Sequence, residues 1–283
     1  MKNSLVLIFA PILFTVSMNA EKILHSETGR EIDIPYIYEL MKTNDVLLLG
    51  EEHDDEDGHR LKLRLMEYFA EREKFGIGME FLERDSQVPA DEYLSDFIDE
   101  KLLLSSLSVS VSGQINPYLP FIRLAKMKNL PLIATNVQRR YARIVSQKGL
   151  TELKKLKTLL KSDLPDLEEV NSVRSPVYDS KLSALFGSHS GAENERTERF
   201  VEAQNLWDAS MCEKIHSFVT EKKQKLIHIN GRFHSDDHLG LAFRLKKKGL
   251  RVITVSMIRT ETEETARPDY FPLADIVWIT GKR

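Results

Sequence analysis

Carboxylates and imidazoles follow two apolar segments of this chain at the same spacing. One apolar run leads into Gly50-Glu51-Glu52-His53, and a second leads into Gly231-Arg232-Phe233-His234, which repeats the G-x-x-H pattern. Between them, a third short apolar run ends on Glu80. Open α/β sheets present their sites at the carboxyl ends of the strands. We therefore expect the two histidines and the glutamate to converge if these strands are neighbours.

Such a group of side chains can do more than one kind of chemistry. His53, Glu80 and His234 can hold a divalent metal such as zinc or manganese, with Glu52 as general base for a bound water. Without a metal, His53 and Glu80 can activate water for ester cleavage. A third alternative is inert: the paired motifs only orient loops through hydrogen bonds.

Other polar residues are predicted to lie near the same edge. His59 is close to His53 in sequence, although a lone histidine at a helix start is more often a surface residue. Asn136, Arg139 and Arg140 follow another predicted strand, where amide and guanidinium groups can bind carboxylates or phosphate at a helix N-terminus. A solvated basic helix start is the alternative interpretation.

A long amphipathic helix is predicted from Arg199 to Lys222. Gln204 and Asp208 form part of a second stripe beside its apolar face, so we expect them to be partly buried. The complete predicted pocket consists of Glu51, Glu52, His53, His59, Glu80, Asn136, Gln204, Asp208 and His234.

Tyr178 and His189 are eleven residues apart, which is about three turns of an α-helix. If that segment is helical, the two side chains share a face. Phenolate and imidazole are both ligands of haem iron. The alternative is that both are ordinary surface residues of a polar stretch.

Apolar runs alternate with helical patterns along the chain, which predicts an α/β fold: a mainly parallel sheet flanked by helices. The segment between the third and fourth core strands is too long for a simple crossover, and we predict an inserted helical lobe at about 139–222. Residues 21–44 are predicted to be peripheral, and 21–283 to form a single domain. The core strands are predicted at 45–49, 76–80, 131–135, 225–230, 251–256 and 275–279.

The N-terminus has the pattern of a secretory signal peptide. Lys2 precedes an apolar stretch that is too short to span a membrane, and Ala20 stands at the predicted cleavage edge. No cysteine lies near that edge, which predicts that the chain is not a lipoprotein, and the single Cys212 forbids an intramolecular disulfide. We therefore expect residues 1–20 to be removed and the mature chain to be periplasmic or secreted.

Composition sets a further limit on function. The 283 residues are 42% hydrophobic and 29% charged, with a formal net charge of -3. Nucleic-acid binding usually needs a basic face, so this balance gives it no support.

Taken together, the motifs resemble the ChaN-like haem-binding proteins, and the match runs from about Val46 to Ser256. Neighbouring families with paired G-x-x-H motifs and a glutamate include Tiki-type metalloproteases and erythromycin esterases. The resemblance is carried by Leu49-Gly50-Glu51-Glu52-His53 with His59, Gly78-Met79-Glu80-Phe81 running on to Gln87, Asn136 with Arg139, Ala203 to Met211, and Gly231 to His234.

This resemblance implies a haem-binding protein of the bacterial cell envelope that is linked to iron or haem uptake. We expect haem to dock between the helical lobe and the sheet edge, or between two protomers. Tyr178 or His189 would contact the iron, with Arg139 or Arg140 near the propionates. A homodimer and outer-membrane haem-uptake components are the expected partners.

An enzyme remains the alternative: a metal-dependent esterase or peptidase that uses Glu52, His53, Glu80 and His234. The chain also departs from the family pattern. It lacks the anchor cysteine of the lipoprotein members, Cys212 stands where an alanine is common, and the region around Tyr178 and His189 is the least recognisable part.

Overall fold

The computed structural model of the chain describes residues 21–157, 163–185, 191–260 and 267–282. The predicted signal peptide, residues 1–20, lies outside these ranges. Within them, one sheet contains the strands β1 (Lys22–His25), β2 (Glu31–Ile32), β3 (Val46–Glu51), β4 (Gly76–Glu83), β5 (Leu132–Asn136), β6 (Leu226–Gly231), β7 (Val252–Thr260) and β8 (Ile276–Lys282).

The strand order across the sheet is β2-β1-β8-β7-β3-β6-β4-β5. Neighbours from β8 to β5 pair in parallel, whereas β1 pairs antiparallel with both β2 and β8. The predicted mainly parallel sheet is therefore confirmed. Its centre, β3 and β6, is buried along its whole length, as expected for continuous apolar runs covered on both faces.

Helices cover both faces of this sheet. They are α1 (Ile34–Met41), α2 (Glu56–Ala70), α3 (Gln87–Leu94), α4 (Glu100–Ser106), α5 (Val109–Ser112), α6 (Leu119–Lys128), α7 (Arg139–Lys148), α8 (Thr151–Lys154), α9 (Leu167–Ser172), α10 (Pro176–Leu185), α11 (Gly191–Lys222) and α12 (Gly240–Lys247). None of these helices is long and apolar enough to cross a membrane.

The two faces of β3 show how the strands divide the core. Alternate side chains of a strand point to opposite faces. Leu47 and Leu49 belong to the cluster built with α1, α2 and α6, whereas Val46 and Leu48 belong to the cluster built with α11 and α12. One sheet thus separates two apolar layers.

The insertion between β5 and β6 holds the helices α7 to α11, joined by short turns. The predicted helical lobe is therefore confirmed for these residues. Helices α7 and α9 pack on α11. Between 164 and 194, the described residues contain α9, α10 and the first turn of α11. At α9 the helix begins because the Asp166 carboxylate accepts a hydrogen bond from the backbone N–H of Glu168 at 2.9 Å.

Two other segments complete the fold. Helices α3 and α4 are separate, and Asp96 between them has a left-handed φ of 59°. Asp99 then caps α4 by accepting from the N–H of Leu102 at 2.7 Å. At the N-terminus, the segment expected to be peripheral adds β1 and β2 to one edge of the sheet, because Ile23 pairs with Trp278 on β8.

Candidate functional site

The carboxyl ends of β3, β6 and β4 lie side by side, and they bring both G-x-x-H motifs together with Glu80. A Cβ built on Gly231 would be only 2.8 Å from Cε1 of His53 and 3.6 Å from Oε2 of Glu80. Oε1 of Glu80 is 3.5 Å from Nε2 of His234. His53, Glu80 and His234 therefore converge at one edge of the sheet.

Close backbone approach makes this convergence possible. A Cβ on Gly50 would lie 2.7 Å from Oγ of Ser235 and 3.1 Å from Cα of Arg232, so a larger residue would push the two motifs apart. Glycine at this position lets the turn after β6 pack directly on the end of β3.

The buried carboxylate of Glu51 orients the His53 ring. Its Nδ1 lies 3.2 Å from Oε1 of Glu51, which also accepts the Tyr118 hydroxyl hydrogen. The second Glu51 oxygen contacts the Lys62 ammonium, and both side chains of this pair are buried. Burial and the nearby Glu80 charge raise the pKa of Tyr118, so its phenol stays a hydrogen-bond donor. Burial also lowers the pKa of Lys62 well below its usual value, while the Glu51 carboxylate favours the ammonium form.

His234 has a different environment, because carboxylates face both of its ring nitrogens. Nδ1 lies 2.7 Å from Oδ1 of Asp208 on α11, and Nε2 faces Glu80. Burial alone would lower the pKa of His234, but the charges of Glu80 and Asp208 raise it well above the usual 6.5. The ring is therefore an imidazolium at neutral pH.

Glu80 is the carboxylate that faces the His234 ring. Burial alone would raise its pKa, but the charge and hydrogen bond of His234, together with the Gly231 N–H at 2.7 Å, hold it at about 2. Glu80 is thus ionised at any pH at which the protein would be studied.

This geometry does not support the metal alternative that the sequence left open for His53, Glu80 and His234. His234 already has a carboxylate at each ring nitrogen, and Oε2 of Glu80 accepts the Gly231 amide hydrogen. No group of three or more His, Cys, Asp or Glu among the described residues is arranged to hold a metal ion. Glu52, the candidate base, is paired with Arg232 and Arg259 at 3.1 Å each.

The other predicted pocket residues help to hold the structure around the site. Nε2 of His59 lies 3.1 Å from the carbonyl oxygen of His53 and steadies that loop. Asn136 accepts the N–H of Val137 at 2.9 Å and sits at the mouth of a cleft. Gln204 is buried on α11, and it does not line that cleft.

The cleft opens beside Glu80, at the carboxyl ends of β4 and β5 and against α11. It is a small cleft, with a cavity volume of about 50 Å³. Its lining combines apolar, acidic and basic side chains: Glu80, Phe81, Glu83, Ser110, Val111, Gln114, Asn136, Val137, Arg139 and Trp207.

Sequence reasoning missed several of these lining residues. Phe81 and Glu83 could have been predicted from the sequence. They follow Glu80 directly, so a strand that continues past Glu80 places them at the same edge of the sheet. Trp207 stands next to Asp208 on a helix already expected to pack there. Nothing in the sequence pointed to Ser110 and Gln114, which lie on α5 and just after it.

The residues assigned to haem by sequence are placed in different environments. Arg139 is exposed and lines the cleft, whereas the exposed Arg140 stacks on the Tyr141 ring at 4.8 Å and reaches Asp85 at 3.5 Å. His189 lies outside the described residues.

Tyr178 requires a correction. Its side chain is buried in a small apolar cluster with Leu182 and Val201. Burial and the neighbouring Asp208 carboxylate raise the pKa of its phenol well above 10. A phenol in this position stays protonated and does not reach a surface that haem can contact, so we do not assign it as an iron ligand.

These features define a class of protein. It has an α/β fold with a mainly parallel sheet, a polar cluster at the carboxyl edge of that sheet, and a helical lobe beside it. A family model described as "Haem-binding uptake, Tiki superfamily, ChaN" matches residues 37–245, more than half of the chain. The chain belongs to this family, which confirms the resemblance seen in its motifs.

Solved structures show the same fold. One described as cofacial haem binding to ChaN of Campylobacter jejuni has a TM-score of 0.70 at 15% identity and covers 92% of this chain and 96% of that one. A succinoglycan biosynthesis protein has a TM-score of 0.50 at 12% identity, covering 81% and 69%. At these identities the similarity concerns the fold alone. A comparison with curated proteins found no match.

Proposed function

We propose that this protein binds haem at the carboxyl edge of its sheet and serves iron or haem uptake at the bacterial cell envelope. The observation that carries the proposal is membership of the haem-binding uptake family over residues 37–245. The likeness to ChaN of Campylobacter jejuni, whose structure is described as binding haem cofacially, supports the same function.

The chemistry of the cleft fits this ligand. A tetrapyrrole has a broad apolar face, and the half-buried rings of Phe81 and Trp207 at the cleft can contact it. Pockets for cofactors are mostly apolar with a few placed polar groups. Haem also carries two propionates, and the exposed guanidinium of Arg139 lines the same cleft.

The proposal includes a location and partners. Removal of residues 1–20 would place the chain 21–283, as a single domain, in the periplasm or outside the cell. There it would meet haem delivered by outer-membrane uptake components, and two copies would form a homodimer around the ligand. No feature of the charge balance favours nucleic acid as a partner.

The test uses ferric haem titrated into the mature chain, purified from the periplasmic fraction of bacteria that express the full sequence. We expect a saturable Soret shift, and light scattering with and without haem should report the dimer. Arg139→Ala should weaken binding about tenfold, because a hydrogen bond to a charged group is worth about 1.5–3 kcal/mol.

Arg140→Ala is the matched control. Arg140 is also exposed, but its guanidinium is engaged with Tyr141 and Asp85, so its loss should leave haem affinity nearly unchanged. Absence of any saturable Soret shift in the unmodified chain would refute the function. Equal weakening by both substitutions would place the propionate contact elsewhere.

A further inference from the structure

We propose that the protein docks on an anionic phospholipid surface through the edge of its sheet that lies opposite the candidate site. Val46 is paired with both Leu226 and Val252, so β3, β6 and β7 begin level with one another, and β4 and β5 begin within one residue of them. Each of these five strands follows the C-terminal end of a helix. We call this surface the amino face, and it consists of residues 39–45, 71–75, 126–131, 221–225 and 246–251.

The amino face is strongly basic, although the whole chain is not. Its five segments contain twelve lysines and arginines but only five aspartates and glutamates, in a chain whose formal net charge is -3. The excess is concentrated where α11 and α12 end, because residues 221–225 and 246–251 contain seven of the basic residues and one acidic residue, Glu221. These two helices pack together on the same side of the sheet, so their basic ends are adjacent.

Part of this charge is not neutralised within the chain. Lys42 is paired with Glu39 at 2.6 Å, and Arg251 is paired with Asp45 at 2.7 Å. Among the residues that the structure describes, no carboxylate lies within ion-pair distance of four exposed lysines of this face: Lys222, Lys223, Lys246 and Lys247. Like charges held close together repel one another, and an anionic surface would relieve that repulsion.

The helix dipole offers a simpler explanation, because it favours cations at the C-terminal end of any helix. This explanation does not account for the distribution of charge. At the ends of α1 and α2, residues 39–45 and 71–75 contain no more basic than acidic residues. The excess therefore belongs to particular helix ends and not to helix ends in general.

The backbone at the end of α11 is a second observation. The residues that follow α6, α11 and α12 in the left-handed conformation are Asn129, Lys223 and Gly249. Glycine and asparagine are the usual residues there, because a Cβ is strained at positive φ. Lys223 has a φ of 55°, yet it places an exposed ammonium group on the amino face. The backbone conformation would favour glycine, so the side chain is what distinguishes lysine at this position.

The amino face also offers contacts that suit a lipid headgroup. A groove of about 370 Å³ opens beside the end of α11, and its lining combines the apolar Val219 and Leu250 with Lys223 and Gln224. Its one carboxylate, Asp45, is already paired with Arg251.

An exposed apolar side chain lies on the same face. Met127 is 68% exposed in the last turn of α6, between Lys126 and Lys128. Apolar side chains beside lysines are typical of segments that lie at a membrane interface. Met127 therefore adds an apolar contact to the electrostatic ones.

The shape of the amino face distinguishes a lipid surface from a nucleic acid. The face presents the ends of five helices at one level, and in the described part of the chain no helix lies along it to enter a DNA groove. A level basic face fits a planar anionic surface. In this orientation the parallel strands run away from the lipid, so the candidate site at their carboxyl ends faces the solution.

The experiment measures co-sedimentation of the purified chain, without haem, with two kinds of vesicle. One contains phosphatidylglycerol and phosphatidylcholine in equal parts, and the other contains phosphatidylcholine alone. We expect binding to the first kind that weakens steeply with salt, because the Debye length falls from about 10 Å at 0.1 M to about 3 Å at 1 M. Lys222→Gln combined with Lys247→Gln should weaken this binding about 30-fold, since one lysine near an anionic leaflet contributes about fivefold.

Lys154→Gln combined with Lys155→Gln is the matched control, because it removes the same charge from α8. The residue before α8, Leu150, donates its N–H to Glu202, which lies twenty residues before Lys222 on α11. That separation is about 30 Å along the helix, so the control should leave vesicle binding unchanged.

Lys223→Gly separates the charge from folding. It should unfold at the same or a higher urea concentration than the unmodified chain, because glycine is unstrained at positive φ. It should nevertheless bind the anionic vesicles about fivefold more weakly.

Equal binding to both kinds of vesicle, or equal weakening by the control pair, would overturn the proposal. Tighter binding to a DNA duplex than to the anionic vesicles at the same ionic strength would also overturn it. This inference does not rest on haem binding. Since the assay contains no haem, its failure would leave the haem-binding proposal standing, and a chain that fails to bind haem can still bind the vesicles.

Discussion

Replacing Glu80 with glutamine removes one negative charge from the centre of the cluster while keeping nearly the same shape. Glutamine can still accept the hydrogen bond that Glu80 takes from the Gly231 amide at 2.7 Å. Asp208 remains to pair with His234. The substitution therefore isolates the charge interaction between Glu80 and the His234 imidazolium.

The size of the effect follows from the pKa of Glu80, which folding lowers from 4.5 to about 2. One pKa unit corresponds to about 1.4 kcal/mol of preference for the charged form, so the cluster favours the carboxylate by about 3 kcal/mol. Removing one partner of a buried ion pair typically costs about 3–5 kcal/mol. Since the amide hydrogen bond is retained, we expect a loss of about 3 kcal/mol at pH 7.

The loss should also depend on pH in a defined direction. Because the folded-state pKa of Glu80 lies below the unfolded one, its contribution is complete above pH 4.5 and disappears as the pH falls towards 2. Urea unfolding of both proteins should thus give a difference in unfolding free energy that at pH 3 is roughly half of its value at pH 7.

Glu83→Gln is the matched control on the same strand. Glu83 is also buried, but it accepts from the hydroxyls of Ser110 at 2.7 Å and Ser108 at 3.3 Å. Its substitution should cost about 1 kcal/mol at pH 7. If Glu80→Gln were as stable as the unmodified chain at pH 7, or lost the same amount at pH 3 and pH 7, the assignment of a carboxylate held by His234 would be refuted.

Two further expectations concern the cations of the cluster. Folding raises the pKa of His234, so its stabilisation is present below pH 6.5 and declines as the pH rises. In urea unfolding from pH 6.5 to 8.5, the unmodified chain should lose up to about 1.4 kcal/mol per pH unit relative to His234→Gln, and parallel curves would contradict this. Lys62→Met leaves the buried Glu51 carboxylate without its cation and should cost about 3–5 kcal/mol. Adding Glu51→Gln should recover more than half of that loss in a double-mutant cycle, and no recovery would argue against the ion pair.

The strands and the long helix were predictable because their patterns are local. Continuous apolar runs gave β3 and β6 to within two residues at either end, and the periodicity of apolar residues gave α11 apart from its first turns. By contrast, β1 and β2 are short, and they exist because Ile23 pairs with Trp278, a partner far along the chain. No short segment of the sequence contains both partners of this strand pair.

The candidate site also has one part that the sequence predicts and another part that it does not. That His53, Glu80 and His234 would meet follows from parallel strands that end at one edge, and the sequence supplies the strands. Which partners hold these residues does not follow. Lys62 lies on α2, where a lysine is normally solvated, yet it is buried against Glu51. Tyr178 was expected at a ligand-bearing surface, but it faces a carboxylate inside the core.

The two G-x-x-H motifs illustrate why a repeated motif need not repeat a function. After β3 the chain turns outwards before α2, so His53 stays half-exposed with one carboxylate at Nδ1. After β6 it enters a 3-10 turn beneath α11, so His234 is buried between Glu80 and Asp208. The first arrangement leaves the histidine ring in contact with solvent, and the second encloses it between two carboxylates. The asymmetry of burial, which the motif does not encode, therefore gives the two histidines different roles in one cluster.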